Sequence, residues 1–217
     1  MRVPVYLEVG VRGATRAWAL SLPGVAADAI SPEAALAAVP ATVTEEIAFL
    51  ARVGRPWAHA AEPLEFVETE RVDTNLKLEE GSARALFKWD LRPTRPEDVA
   101  AALARIDLAR RAIEAAVAGT PDATAAESPV GARLIAVSGS ILWLLSRLGS
   151  RPTWTLSQEP LPRFLGAEQI AIERLNNLLP GDLERHAVFA GEPWTTRKVL
   201  RRLAYLVREE SLTTATP

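Results

Sequence analysis

Five cations fall within twelve residues near the end of a 217-residue chain: Arg197, Lys198, Arg201, Arg202 and Arg208. At about 100° per residue, the arginines at 197, 201 and 208 share one flank of a helix and Arg202 borders its apolar stripe. Such a flank can grip a phosphate or a carboxylate, and surface salt bridges to glutamates are its bland alternative. Arg110 falls inside another apolar stripe, Val99, Leu103, Ile106, Ile113 and Val117, where a charge needs a partner or a route to solvent. Trp143, Trp154 and Trp194 are spaced either to line a pocket between helices or simply to pack. Arg110, Trp143, Trp194, Arg201 and Arg202 are therefore the candidate ligand-binding residues, for a small anionic molecule or a protein partner.

Other chemistry lacks its residues. The chain has no cysteine, which removes disulfides, thiolate metal sites and cysteine nucleophiles together. Its two histidines, His59 and His186, lie in different halves, and a zinc site wants three or four ligands, so no metal or other cofactor is expected. Glu168, Glu173, Glu209 and Glu210 offer carboxylates for a hard metal or for acid-base work, but as helix-surface residues they are expected to be solvated. Ser138, Ser140 and Ser146 have no partnered histidine and read as small packing residues. No dinucleotide-binding glycine fingerprint, P-loop, G-x-S-x-G elbow or H-E-x-x-H motif occurs, so no catalytic residue can be named.

The elements that must position these residues follow from composition and period. With 25 basic against 27 acidic residues the net charge is −2, which disfavours a nucleic-acid binder driven by overall positive charge. A 48% hydrophobic content and a mean hydropathy of +0.06 allow a buried core. The opening MRVPVYLEVG has no signal-peptide core, so a cytoplasmic location is expected. The most apolar stretch, Leu134 to Leu145, leaves 13 residues between Arg133 and Arg147. That is short of the roughly 20 that cross a bilayer, so a buried helix and no membrane partner are expected.

The fold class expected is α+β: a small N-terminal sheet domain over residues 1–92, then an all-α four-helix bundle over residues 95–211. Val3, Val5, Leu7 and Val9 alternate with polar neighbours as a half-buried strand, and Ala14 to Leu22 reads as a second. Ser31-Pro32-Glu33 starts a helix with a cap, a proline at the first position and an acid at the positive dipole end, which Pro40 is expected to kink or divide. Leu64 to Val72 and Asn75 to Leu78 look extended. Ala83 to Leu91 reads as a strand with Phe87, Trp89 and Leu91 on one face, joined to its predecessor by a hairpin at Glu79 to Ser82. Beyond Pro93 the period becomes helical: Pro96 to Val117, Val130 to Leu148, Phe164 to Leu179 with Leu165, Ala171, Ile172, Leu175 and Leu179 in its stripe, and Thr196 to Glu210 capped by Thr195. Gly119 to Glu127 and Arg151 to Pro162 are loops long enough for crossovers or lids, and the tail after Ser211 is expected to fray. Helical bundles often pair through a face, so a homodimer is compatible with the pattern.

The segment Gly191-Glu192-Pro193-Trp194-Thr195-Thr196-Arg197-Lys198-Val199-Leu200-Arg201-Arg202-Leu203 resembles the start of the last helix in DinB-like bundles. Ile141 to Leu148 is similar to that family's second helix. The resemblance covers roughly residues 95–210. Val5-Tyr6-Leu7-Glu8, Leu22-Pro23-Gly24-Val25 and Ser31 to Leu36 resemble the HicB-like fold, a small sheet followed by a helix. The combination is associated with bacterial proteins. The DinB-like family implies a divalent metal held by one histidine of the second helix and two histidines four apart on the fourth. Carried onto this sequence, the fourth-helix pair falls at Leu206 and Glu210, and the second-helix ligand falls near Ala136 or Val137. Val137, Leu206 and Glu210 are degenerate metal positions, because the aliphatic side chains cannot coordinate and a one-turn slip to Arg202 and Leu206 restores no ligand. The resemblance thus implies a binding protein that has lost the family's metal; the alternatives are a divergent thiol-dependent transferase or a HicB-like regulator or antitoxin.

Overall fold

The computed structural model describes residues 1–118, 125–149 and 154–215. It is a mixed α+β structure with seven α-helices among those residues. The chain divides into two compact units: Met1–Leu91 with Gly191–Pro193, and Arg92–Ala190 with Trp194–Pro217.

The first unit is built on a four-stranded sheet of order β3-β2-β1-β4, formed by β1 (Arg2–Val9), β2 (Thr15–Ala19), β3 (Ala26–Ala29) and β4 (Glu65–Asp73). β1 and β2 pair antiparallel with Leu7 opposite Ala17, and β4 runs parallel to β1 with an irregularity between Val5 and Tyr6. One face carries Val3, Val5, Leu7, Ala17, Ala19 and Ala27 against Ala35, Val39 and Val43 of helix α1 (Pro32–Arg52). The alanines let the helix lie close to the sheet. Ser31 Oγ accepts the Ala34 amide at 3.2 Å, so the cap forms as the sequence implies. Pro40 sits inside α1 without dividing it.

The expected strand over Ala83 to Leu91 is absent. Leu78–Arg84 is helix α2 instead, and a turn follows it. The reason is local: the Asp90 carboxylate accepts the Phe87 amide at 3.0 Å, and the Glu70 carboxylate accepts the Lys88 amide at 2.9 Å. Side-chain acceptors take the donors a strand ladder would use. Asp90 is buried and Leu91 exposed, the reverse of the alternating reading. The hairpin at Glu79 to Ser82 fails with it, since Gly81 packs where a Cβ would lie 2.5 Å from Thr74 Oγ1. Asn75 to Leu78 is not a strand either.

The second unit contains α3 (Pro96–Val117), α4 (Pro129–Leu145) continued by a 3-10 turn at Ser146–Leu148, α5 (Pro160–Asn176), short α6 (Pro180–Leu183), hairpin strand β5 (His186–Phe189) and α7 (Thr196–Ala215). Strand β6 (Glu192–Thr195) pairs with β5 and leads into α7. α3 packs chiefly on α7 and α4 chiefly on α5; α4 also meets α7, and α3 meets α5 along a shorter seam. Arg197 at the start of α7 bonds Asp98 at the start of α3, so these two helices run in the same direction. Arg174 near the end of α5 bonds the Leu148 carbonyl after α4 at 2.8 Å, so α4 and α5 also share a direction. The Trp143–Trp194 and Arg133–Glu210 contacts set α4 against α7.

α3 spans the residues its period implies, whereas α5 starts at Pro160, inside the expected loop, and ends before Leu179. α7 continues to Ala215 past the expected fraying point. Residues 119–124 and 150–153 of the two expected long loops lie outside the described residues. By length and composition, α1 and the Pro129–Leu148 helix are each long and apolar enough to cross a bilayer, which differs from the count between charges. In the structure Leu134, Ile141, Leu144 and Leu145 of α4 are buried.

Candidate functional site

The buried side of α5 consists of Pro160, Phe164, Ala167, Glu168, Ala171 and Leu175, a helical spacing with one carboxylate in its middle. Glu168 is 0% exposed, and neither of its carboxylate oxygens has a hydrogen-bond partner. This overturns the expectation that it is solvated. Three charged residues of α3 face it: Arg110, Glu114 and Asp107. Each is engaged along its own helix, Arg110 Nε with Glu114 at 3.5 Å and Arg111 with Asp107 at 3.0 Å. Burial pushes the Glu168 carboxyl up to about 9; the Arg110 guanidinium pulls against that shift, and the Glu114 and Asp107 carboxylates add to it. At neutral pH it is therefore a neutral acid among apolar groups, able to donate one hydrogen bond or, once ionised, to hold a cation.

A second cluster lies where α4 ends and α7 begins. The Trp143 and Trp194 rings meet edge to face at 5.2 Å, and the Arg147 guanidinium lies over Trp143, Phe189 and Trp194 at 4.3, 5.0 and 5.8 Å from their centroids. Lys198 Nζ is 4.4 Å from the Trp194 centroid. Trp194 is buried beneath the first turn of α7, whose Lys198 amide donates to Thr195 Oγ1 at 3.1 Å, while Trp143 is 41% exposed. Trp154 is half-buried.

The α7 cations are not the exposed flank their spacing implies. Arg197, Lys198, Arg201 and Arg208 are all buried, and Arg202 is half-buried. Arg197 is held by Asp98 and by the Pro93 carbonyl at 2.7 Å, and Arg208 by Glu209 at 2.8 Å. The candidate ligand residues therefore do not converge. Arg110 stands with Glu168, Trp143 and Trp194 stand with Arg147, and Arg201 and Arg202 lie farther along α7.

Where the family resemblance implies a metal, the donor set does not fit one. Val137 and Leu206 are half-buried aliphatics, and Glu210 is buried and paired with Arg133 at 3.4 Å. A guanidinium beside the one carboxylate repels a divalent cation. Among the described residues no three His, Asp or Glu side chains are grouped to hold a metal. His59 bonds Glu62 at 2.7 Å on the surface of the first unit, which holds the Glu62 carboxyl below the usual carboxylate range; His186 is exposed on β5.

The first unit has a buried polar group of its own on the sheet face opposite α1. Glu8 is fully buried and accepts the Trp18 Nε1 hydrogen at 3.2 Å, while Arg16 forks onto Asp28 with two bonds of 2.7 Å and reaches Ser82 Oγ at 3.3 Å. Sequence reading missed both Glu8 and Glu168. For Glu168 a signal was present, because Phe164, Ala171 and Leu175 place it inside a stripe; the expected stripe also took in Leu165, Ile172 and Leu179, and Leu179 is 68% exposed. No family model matches the chain, and no curated protein or solved structure matches it.

Proposed function

We propose that the protein is a binding module for a small molecule, with the site at Glu168 in a DinB-like four-helix bundle formed by α3, α4, α5 and α7, which follows a HicB-like α+β domain in the sequence. The observation that carries this reading is the fully buried Glu168 carboxyl with no partner on either oxygen. Leaving a buried polar group unsatisfied costs about 1–3 kcal/mol, and such a debit is tolerated at sites that bind or react. Support for the bundle comes from the mutual packing of the four long helices, and support for lost metal chemistry from Val137, Leu206 and the Arg133–Glu210 pair. The thiol-transferase alternative would route through a metal for which these residues offer no ligands.

Two measurements test the proposal. Thermal unfolding of the full chain is followed across a panel of small cations, neutral amides and carboxylates, with Glu168→Gln as the control. A stabilising compound whose effect disappears in the variant supports the reading; no such compound in the panel refutes it. Plasma mass spectrometry after incubation with zinc, nickel and manganese is the second, where about one metal per chain overturns the lost-metal reading.

A further inference from the structure

We infer that Glu168 is the counter-ion for a small organic cation with paired N–H donors, of the amidinium or guanidinium class, admitted between α3 and α5. This rests on the binding reading above and adds the charge and shape of the ligand. Two free oxygens on one carboxyl match a planar fork of two donors, which makes the strongest class of charge-assisted hydrogen bond. The charges that face the carboxyl from α3 are Asp107, Glu114 and Arg110; Arg110 is drawn to Glu114, and Arg111 to Asp107. From α4 the buried face brings Gly131, Leu134, Ser138, Ile141 and Leu145, none of them charged, and the Ser138 hydroxyl is turned onto the Leu134 carbonyl at 2.6 Å. The end residues of α4 are committed elsewhere, Arg133 to Glu210 and Arg147 to the aromatic cluster. Arg110 is the one cation beside Glu168 among these groups and it is shared with Glu114, while two further acids lie toward α3. Three acids against one arginine disfavour an anionic ligand. Of the two seams that flank Glu168, α3–α5 is the shorter and the one easier to part.

Binding such a cation converts the carboxyl to a carboxylate, and the proton passes to the buffer. The probe is benzamidine, with its neutral isostere benzamide as the comparison, titrated calorimetrically into the full chain at pH 6, 7 and 8 in phosphate and in Tris. Because the acid titrates at about 9, benzamidine affinity should rise about tenfold per pH unit, with one proton released per molecule bound. Benzamide should bind at least tenfold more weakly at pH 8. Glu168→Gln and Glu168→Leu should both abolish benzamidine binding while keeping the hydrogen-exchange protection of α5. Equal affinity for the two compounds without proton release, or benzamidine binding retained by both variants, overturns the cation assignment. In that event, a neutral compound whose binding still needs Glu168 leaves the binding reading intact; absence of any Glu168-dependent compound overturns both.

Discussion

Glu168→Gln should make the protein more stable at neutral pH and remove a pH dependence of specified sign. The native carboxyl titrates at about 9 against an ordinary value of 4.5. Between those values the folded state holds a proton that the unfolded state has released, so stability falls as pH rises, by about 1.4 kcal/mol per unit. This contribution is fully present below about pH 4.5 and gone above about 9. At pH 7, 2.5 units above the ordinary value, the group has therefore lost roughly 3 kcal/mol relative to acid conditions. Glutamine has nearly the same shape and cannot ionise. The variant should exceed wild type by about 3 kcal/mol at pH 7, and the gap should close towards pH 4.5. Urea unfolding at pH 5, 6, 7 and 8, read by hydrogen exchange of α5 amides, makes the second unit report alone. Taking the difference between the two proteins cancels every other titrating group. Parallel stability curves, or a gap that widens towards acid, would show that Glu168 is ionised or solvated in the native state and would remove the physical basis of the site.

Three further outcomes follow from named contacts. Gly131→Ala places a methyl 1.9 Å from the Ala125 carbonyl oxygen, a backbone atom, so α4 must shift and stability should fall by at least 1 kcal/mol of the about 1–3 typical of overpacking, measured by urea unfolding. Thr195→Ala removes the acceptor for the Lys198 amide and should cost about 1 kcal/mol, whereas Thr195→Ser should restore most of it in the same assay. Arg147→Ala leaves Trp143, Phe189 and Trp194 without their shared cation; a loss of about 1 kcal/mol with a change in tryptophan emission is expected, and an unchanged spectrum would show that the stacking is absent in solution.

What could be read from sequence is what local rules decide. Pro96 at the first helical position and apolar residues at helical spacing delimit α3, and Ser31-Pro32 starts α1, because capping and period act within a few residues. β3 escaped notice since Ala26–Ala29 carries almost no side-chain pattern, and its place in the sheet comes from pairing with β2. Residues 83–91 alternate convincingly, but Asp90 and Glu70 capture the amides that a ladder would need. The parallel run of α4 and α5 is a tertiary arrangement, which helical period does not encode.

The misreading of charges has a common cause that can be turned into a rule. Residue type assigned Glu168 and the α7 cations to solvent, since charged side chains are rarely buried unless paired. Position says otherwise. Glu168 has Phe164 four residues before it and Ala171 and Leu175 three and seven after it, all buried, so its Cα faces inward whatever its side chain is. Lys198 and Arg201 stand in the same relation to Trp194, Ala204 and Arg208, which are buried as well. Where a helix fixes the direction of a side chain in this way, the charge must find a partner or change protonation. The cations of α7 take the first course, as Arg197 does with Asp98 and Lys198 with the Trp194 ring. Glu168 takes the second, and that contrast within one unit is what separates a structural charge from a candidate binding group.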